Sequence, residues 1–180
     1  MGVRFGAVEG IGLELSRRVV LLNPSVKNKF MARAIALSIE NVRSGRGGPF
    51  GAVIVRSGRI IAEAANCVTR VNDPTAHAEV TAIRRACGKL RAFELKECDI
   101  YTSCEPCPMC VGAIYWARLR CVYYAGTAAD AANAGFDDQF IYREIGRAPA
   151  RRKIPMVRLM HEDALAAFRA WKESGEKILY

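Results

Sequence analysis

Two short segments carry residue types that can do chemistry together. One is His77-Ala78-Glu79 and the other is Pro106-Cys107-Pro108-Met109-Cys110. Imidazole nitrogen and thiolate sulfur are the donors that a borderline-soft ion such as zinc takes. Cys107 and Cys110 are three residues apart, so a turn or a helix start points both sulfurs at one ion, and His77 supplies a third donor. Three protein donors leave the fourth tetrahedral position to water, the arrangement of a catalytic rather than a closed structural centre. Water held there is acidified and ionises near neutral pH. Glu79 lies two residues beyond His77 and reaches the open side of the ion if both sit in one first helical turn. Its job is then to carry protons, from the water to a leaving group.

Other readings of these residues fit less well. Cys104, Cys107 and Cys110 start an iron–sulfur run that requires a cysteine at position 114, which is Ile114. A redox pair would give His77 and Glu79 no part. Pro106 directly precedes Cys107, so Cys107 and Cys110 are taken as the ligands, one zinc ion per chain, and Cys104 as a buried thiol. The seven cysteines, at 67, 87, 98, 104, 107, 110 and 121, are odd in number and irregular in spacing. That is no disulfide framework and it suits a reducing compartment. Glu9 and Glu14 interrupt the early apolar residues, which argues against a secretory leader and for the cytoplasm.

The elements that must position these residues follow from periodicity. Phe30, Ala34, Ile35, Leu37, Ile39 and Val42 recur at helical spacing and the run stops at Ser44-Gly45. Two apolar runs, 51–55 and 60–64, flank Ser57-Gly58 and predict a hairpin. Asp73-Pro74 predicts a helix start, with the helix running to about Cys87 and ending at Gly88. Residues 99–102 and 120–125 predict buried strands, with a helix after Pro108 between them. Residues 156–160 predict an outer strand and 163–172 a final amphipathic helix. Strands alternating with helices indicate a single three-layer α/β domain over residues 25–180. Residues 1–24 show no sustained period and form an extension of unassigned role.

Length and charge bound the rest. The chain has 180 residues, 51% apolar and 25% charged, which is one globular domain with a sizeable core and nothing that spans a membrane. The net charge of +9 invites a nucleic-acid reading. Its distribution argues otherwise: residues 1–33 and 143–180 each carry +4, whereas 34–142, which hold the chemistry, carry +1. Solubilising surface charge accounts for it better than a nucleic-acid groove.

The H-x-E…P-C-x-x-C order is that of the zinc deaminases, in which the glutamate is acid and base rather than ligand. Gly48-Pro49-Phe50-Gly51-Ala52, Asp73-Pro74-Thr75-Ala76-His77-Ala78-Glu79-Val80 and Cys104-Glu105-Pro106-Cys107-Pro108-Met109-Cys110 resemble the cytidine deaminase-like superfamily. Three further segments are similar to its small bacterial guanine deaminases: Gly112-Ala113-Ile114-Tyr115-Trp116-Ala117-Arg118, Ala134-Gly135-Phe136-Asp137-Asp138-Gln139-Phe140-Ile141-Tyr142, and the tail ending at Tyr180. The resemblance covers residues 26–180. It implies a three-layer αβα fold with a five-stranded mixed sheet, a homodimer, and hydrolysis of guanine to xanthine and ammonia by zinc-activated water, with Glu79 protonating the ring and then the departing amine. Deamination of adenosine in tRNA, or of another aminated purine, nucleoside or triazine, is the competing activity.

The resemblance also implies substrate contacts at Asn66, Phe50, Ala78, Trp116, Asp138 and Tyr180. An asparagine offers donor and acceptor to a purine edge, although Asn66 also reads as a turn residue. Phe50 and Trp116 would stack on the base and read equally as core. Asp138 would accept from guanine N–H groups and reads equally as a loop charge. Ile178-Leu179-Tyr180 is apolar to its last residue, which suggests a docked end closing a site, in this subunit or by segment exchange in its neighbour.

Overall fold

The computed structural model describes residues 24–179. Residues 1–23 of the extension and Tyr180 lie outside the described residues. The elements in order are helix α1 (Pro24–Arg43), strands β1 (Gly51–Arg56) and β2 (Arg59–Ala65), a single helical turn α2 (Val68–Val71), α3 (Ala78–Leu90), β3 (Cys98–Cys104), α4 (Pro108–Trp116), β4 (Cys121–Gly126), α5 (Ala128–Asn133), α6 (Gln139–Ile145), a 3-10 turn (Pro149–Arg151) and α7 (His161–Glu173).

The sheet order is β2-β1-β3-β4. β1 pairs antiparallel with both β2 and β3, while β3 and β4 are parallel. The hairpin closes because Ser57 and Gly58 both take positive φ, 49° and 74°, which matches the twist of the strands it joins. The parallel pair needs a crossover, and α4 provides it. Side chains alternate along β1. Val53 and Val55 face Phe30 and Ala34 of α1, together with Tyr101. Ala52 and Ile54 face Ala78, Ala82, Ile83 and Ala86 of α3 and Ile114 of α4. The sheet is thus covered on both sides and the three layers are as expected. Fully burying Ile54 or Ile100 contributes about 1.5–3 kcal/mol each.

Three expectations are corrected. The sheet has four strands among the described residues, not five. Residues 156–160 form no strand: Pro155 removes a ladder donor, residues 153–160 are all exposed, and none of the described strands pairs with them. The helix expected to be capped by Asp73 starts four residues later, with His77 as its cap. Asp73 instead accepts from the Thr75 backbone N–H (2.8 Å) and hydroxyl (2.7 Å), closing a local turn. The helix also continues through Gly88 to Leu90, where Arg91 in the left-handed region (φ 50°) ends it.

Candidate active site

Two helices begin at potential metal donors. His77 is the N-cap residue of α3 (ψ 157°) and Cys107 is the N-cap residue of α4 (ψ 167°), and neither side chain caps its own helix. Cys110 is the third helical residue of α4, on the side its N-cap faces, as in a capping box. Glu79, the second residue of α3, shares the first turn with His77 as the spacing required. Pro108 suits the first position of α4 because its missing N–H would be unpaired there.

His77 Nδ1 lies 3.5 Å from Cys107 Sγ and 3.6 Å from Cys110 Sγ. All three donor atoms fall within 4.8 Å of one another. Zinc bonds of about 2.05 Å to nitrogen and about 2.3 Å to sulfur, set at a tetrahedral angle, separate the two donors by about 3.6 Å. The observed spacing therefore fits zinc. Cys104 does not join the set; its thiol points to the Thr127 carbonyl at 3.4 Å.

The electrostatics suit two thiolates and a proton carrier. The Cys110 thiol donates to Cys107, and this bond, with help from His77, holds Cys107 far below the usual thiol range. The same bond and burial push Cys110 up. A cation replacing the shared proton takes both as thiolates, and the start of α4 favours that charge. The hydrogen bond to Cys107 raises His77. Glu79 is only 5% exposed, and burial pushes its carboxyl above the ordinary range. The Thr102 hydroxyl, which donates to the Cys104 carbonyl at 2.9 Å, also stands 3.3 Å from Glu79 Oε1.

These groups open into a cavity of about 390 Å³ lined by Phe50, Asn66, His77, Glu79, Cys107 and Asp138, among others. That volume lies within the range of small-molecule sites. Phe50 meets Phe136 edge-on at 4.9 Å between ring centres. Asn66 follows β2, and its Oδ1 accepts from the Val68 N–H at 3.3 Å. Asp138 sits at the start of α6, where burial and the nearby Cys107 raise its carboxyl.

The fold does not bring every expected contact to this cavity. Ala78 is fully buried and its methyl group packs in the core behind the wall. Trp116 is 69% exposed and faces elsewhere. It ends α4, nine residues beyond Cys107, and at 1.5 Å per residue that carries it about 14 Å along the helix. Tyr180 lies outside the described residues. Three residues without an assigned role in the sequence reading also belong here: Phe136 in the wall, Thr102 against Glu79, and Asn41 behind Asn66. The latter two are polar residues on otherwise apolar faces, a signal readable in the sequence.

A mixed sheet between helices, with two helix starts converging on a histidine, two thiols and a buried glutamate, defines a zinc-dependent hydrolytic deaminase. The cytidine and deoxycytidylate deaminase zinc-binding region matches residues 24–126, and the chain belongs to this family. It is 56% identical over 151 residues to the guanine deaminase of Bacillus subtilis, covering 84% of this chain and 97% of that one. The X-ray structure of a B. subtilis guanine deaminase superposes with a TM-score of 0.84 at 54% identity, over 88% of this chain and 99% of that one. The guanine deaminase of Nitrosomonas europaea gives a TM-score of 0.60 at 28% identity, over 94% of this chain and 95% of that one. A tRNA-specific adenosine deaminase from Agrobacterium fabrum is 49% identical over 76 residues, 42% of this chain and 50% of that one.

Proposed function

We propose that this protein hydrolyses guanine to xanthine and ammonia, with His77, Cys107 and Cys110 as ligands of one zinc ion. The observation that carries the reading is the donor triangle at tetrahedral spacing, with buried Glu79 at its side and a base-sized cavity in front. The guanine deaminase relative matches over 151 residues and so extends past the zinc motifs, whereas the tRNA deaminase match stops at 76.

Zinc, when bound, supplies the Lewis acidity that makes water a nucleophile near neutral pH. The chain's own residues do the rest. Glu79 takes one proton of the attacking water and delivers it to the ring nitrogen; it then takes the second proton from the hydroxyl on the attacked carbon and gives it to the amine, so that the C–N bond breaks as the carbonyl forms and the amine leaves as ammonia rather than as an amide anion. Its burial, which favours the protonated form, suits that delivery. The Asn66 amide addresses the purine edge, and Phe50 packs on its face. Asp138 accepts from guanine N–H groups that adenine does not present in that place. Ala78 meets the substrate through its backbone.

The working unit is a homodimer with exchanged C-terminal segments. Three features support this. Among the described residues β4 is an edge strand with one side unpaired and α7 has no buried residue, and the segment leading to α7 exposes Ile154, Val157 and Leu159, Val157 by 77%. An apolar run of this kind marks a contact surface. In the exchanged arrangement the tail, with Tyr180, closes the neighbour's cavity. The seven cysteines are free and none of the described helices is long and apolar enough to cross a membrane, which supports the cytoplasm as its compartment.

Ammonia release from zinc-loaded protein tests the activity across guanine, other aminated purines, guanosine, amino-triazines and an anticodon stem-loop. Guanine is the expected substrate. Silence toward guanine, or deamination of the stem-loop in its place, overturns the reading.

A further inference from the structure

The buried stripe of α1 runs Phe30, Ala34, Ser38, Asn41, so a polar amide ends an otherwise largely apolar face. Asn41 is 4% exposed and is far from the zinc donors in sequence. Its Nδ2 donates one hydrogen to the Gly48 carbonyl at 2.9 Å and the other to the Asn66 backbone carbonyl at 2.8 Å. An amide nitrogen has two hydrogens, and both are used. Both acceptors line the cavity, one on the loop before β1, where Gly48 lies two residues before Phe50, and one just after β2, where Asn66 is the candidate base-binding asparagine. The loop approaches closely at the same point. A Cβ on Gly47 would stand 2.5 Å from the Asn66 carbonyl oxygen and 2.9 Å from Asn41 Nδ2. Only glycine permits that contact. The Asn66 N–H also donates to the Phe50 carbonyl at 3.0 Å.

We propose that Asn41 is a positioning residue for the purine, a bracket that fixes the gap between Phe50 and Asn66. This rests on the guanine deaminase reading above. Asn41 touches neither substrate nor metal donors; it acts by holding the two segments at the separation at which one side chain covers the face of the base and the other meets its edge. The metal donors and Glu79 hang from α3 and α4 instead, so loosening the bracket impairs binding of the base while leaving the reacting groups in place. Positioning of this kind is sensitive to small displacements.

The test is a kinetic split with guanine as substrate and ammonia as readout, alongside zinc content and thermal midpoint. Asn41→Asp keeps the shape but sets a carboxylate against two carbonyl oxygens. Gly47→Ala leaves Asn41 intact and pushes the same contact apart from the loop side, so it keeps the test alive if the first variant does not fold. Each is expected to raise KM about tenfold or more, the size of one lost buried hydrogen bond, with kcat changed less than about threefold and zinc unchanged. The double variant is expected to raise KM no further than the larger single effect, because both break one contact. An unchanged KM in a folded single variant overturns the proposal. So does a loss of kcat and zinc together, which marks a general structural role. A wild-type protein inert toward guanine overturns the underlying activity and this inference with it, and the wild-type control alone distinguishes that failure.

Discussion

His77 Nδ1 stands 3.5 Å from Cys107 Sγ, across 30 residues of chain. Each atom hangs from the N-cap of a different helix, so the pair is set by how α3 and α4 converge. Cys107→Ser and Cys110→Ser are expected to lower zinc affinity by more than about 100-fold, beyond what outer partners of a metal site contribute, and to abolish turnover. Cys104→Ser is expected to retain zinc, since its thiol addresses the Thr127 carbonyl. Metal analysis after dialysis checks both; full zinc in Cys107→Ser would remove this ligand assignment.

Glu79→Gln preserves size and burial but cannot carry a proton. Turnover is expected to fall about 10²–10⁴-fold, the usual worth of a positioned acid and base, with zinc content intact. Zinc lost to the same degree as in Cys107→Ser would make Glu79 a ligand instead. Thr102 supports the carboxylate at 3.3 Å, so Thr102→Val is expected to lower kcat several-fold and Thr102→Ser to recover it.

Arg33 on α1 grips Glu63 on β2 with two hydrogen bonds, 2.9 and 2.6 Å. That bond, against some burial, holds the Glu63 carboxyl below its ordinary range. A carboxylate depressed in the folded state stabilises above its unfolded value of about 4.3, and the contribution fades as pH falls through the folded value. The pair is about one-third exposed, so solvent screening limits its worth to about 0.5–1 kcal/mol. Glu63→Gln is therefore expected to cost that much at pH 7 and progressively less as pH falls through the folded value. Urea unfolding across this range reads it out; a deficit that grows toward acid would reverse the sign.

Removing residues 178–180 is expected to depress turnover and leave zinc unchanged. Exchange of the segment makes a sharper forecast. A refolded mixture of the shortened chain with full-length Glu79→Gln should regain activity, because the second chain lends its tail to the first chain's intact site. If the tail serves its own subunit, the mixture stays as weak as its parts.

The zinc motifs were legible in the sequence because their geometry is local. An N-cap and the third residue of one helix always face the same way, so Cys107 and Cys110 needed only Pro108 to start α4 at the right place. The same holds for His77 and Glu79 within one turn of α3. The layers were legible in β1, whose unbroken apolar run from Ala52 to Val55 marks a strand buried on both faces, but the buried face of α1 was legible only in part: Phe30 and Ala34 lie on it, whereas Ile35, Ile39 and Val42 are exposed and Ser38 and Asn41 take their place. The helix start at Asp73 was misread because the Asx turn to Thr75 uses the same side chain as a cap would.

What the tertiary structure decided is whatever depends on distance between elements remote in the chain. Sequence could offer Phe50, Asn66, Trp116 and Asp138 as partners of a base, but only the packed helices and sheet draw Phe50, Asn66 and Asp138 to one cavity and carry Trp116 away along α4. Asn41 entered the account only when its amide was seen between two carbonyls 7 and 25 residues distant. Residues 156–160 have the composition of a strand, yet a strand exists only where a neighbour's backbone accepts it. Local hydrogen bonding writes itself into spacing; contact between remote segments is set by packing, which no single stretch of residues records.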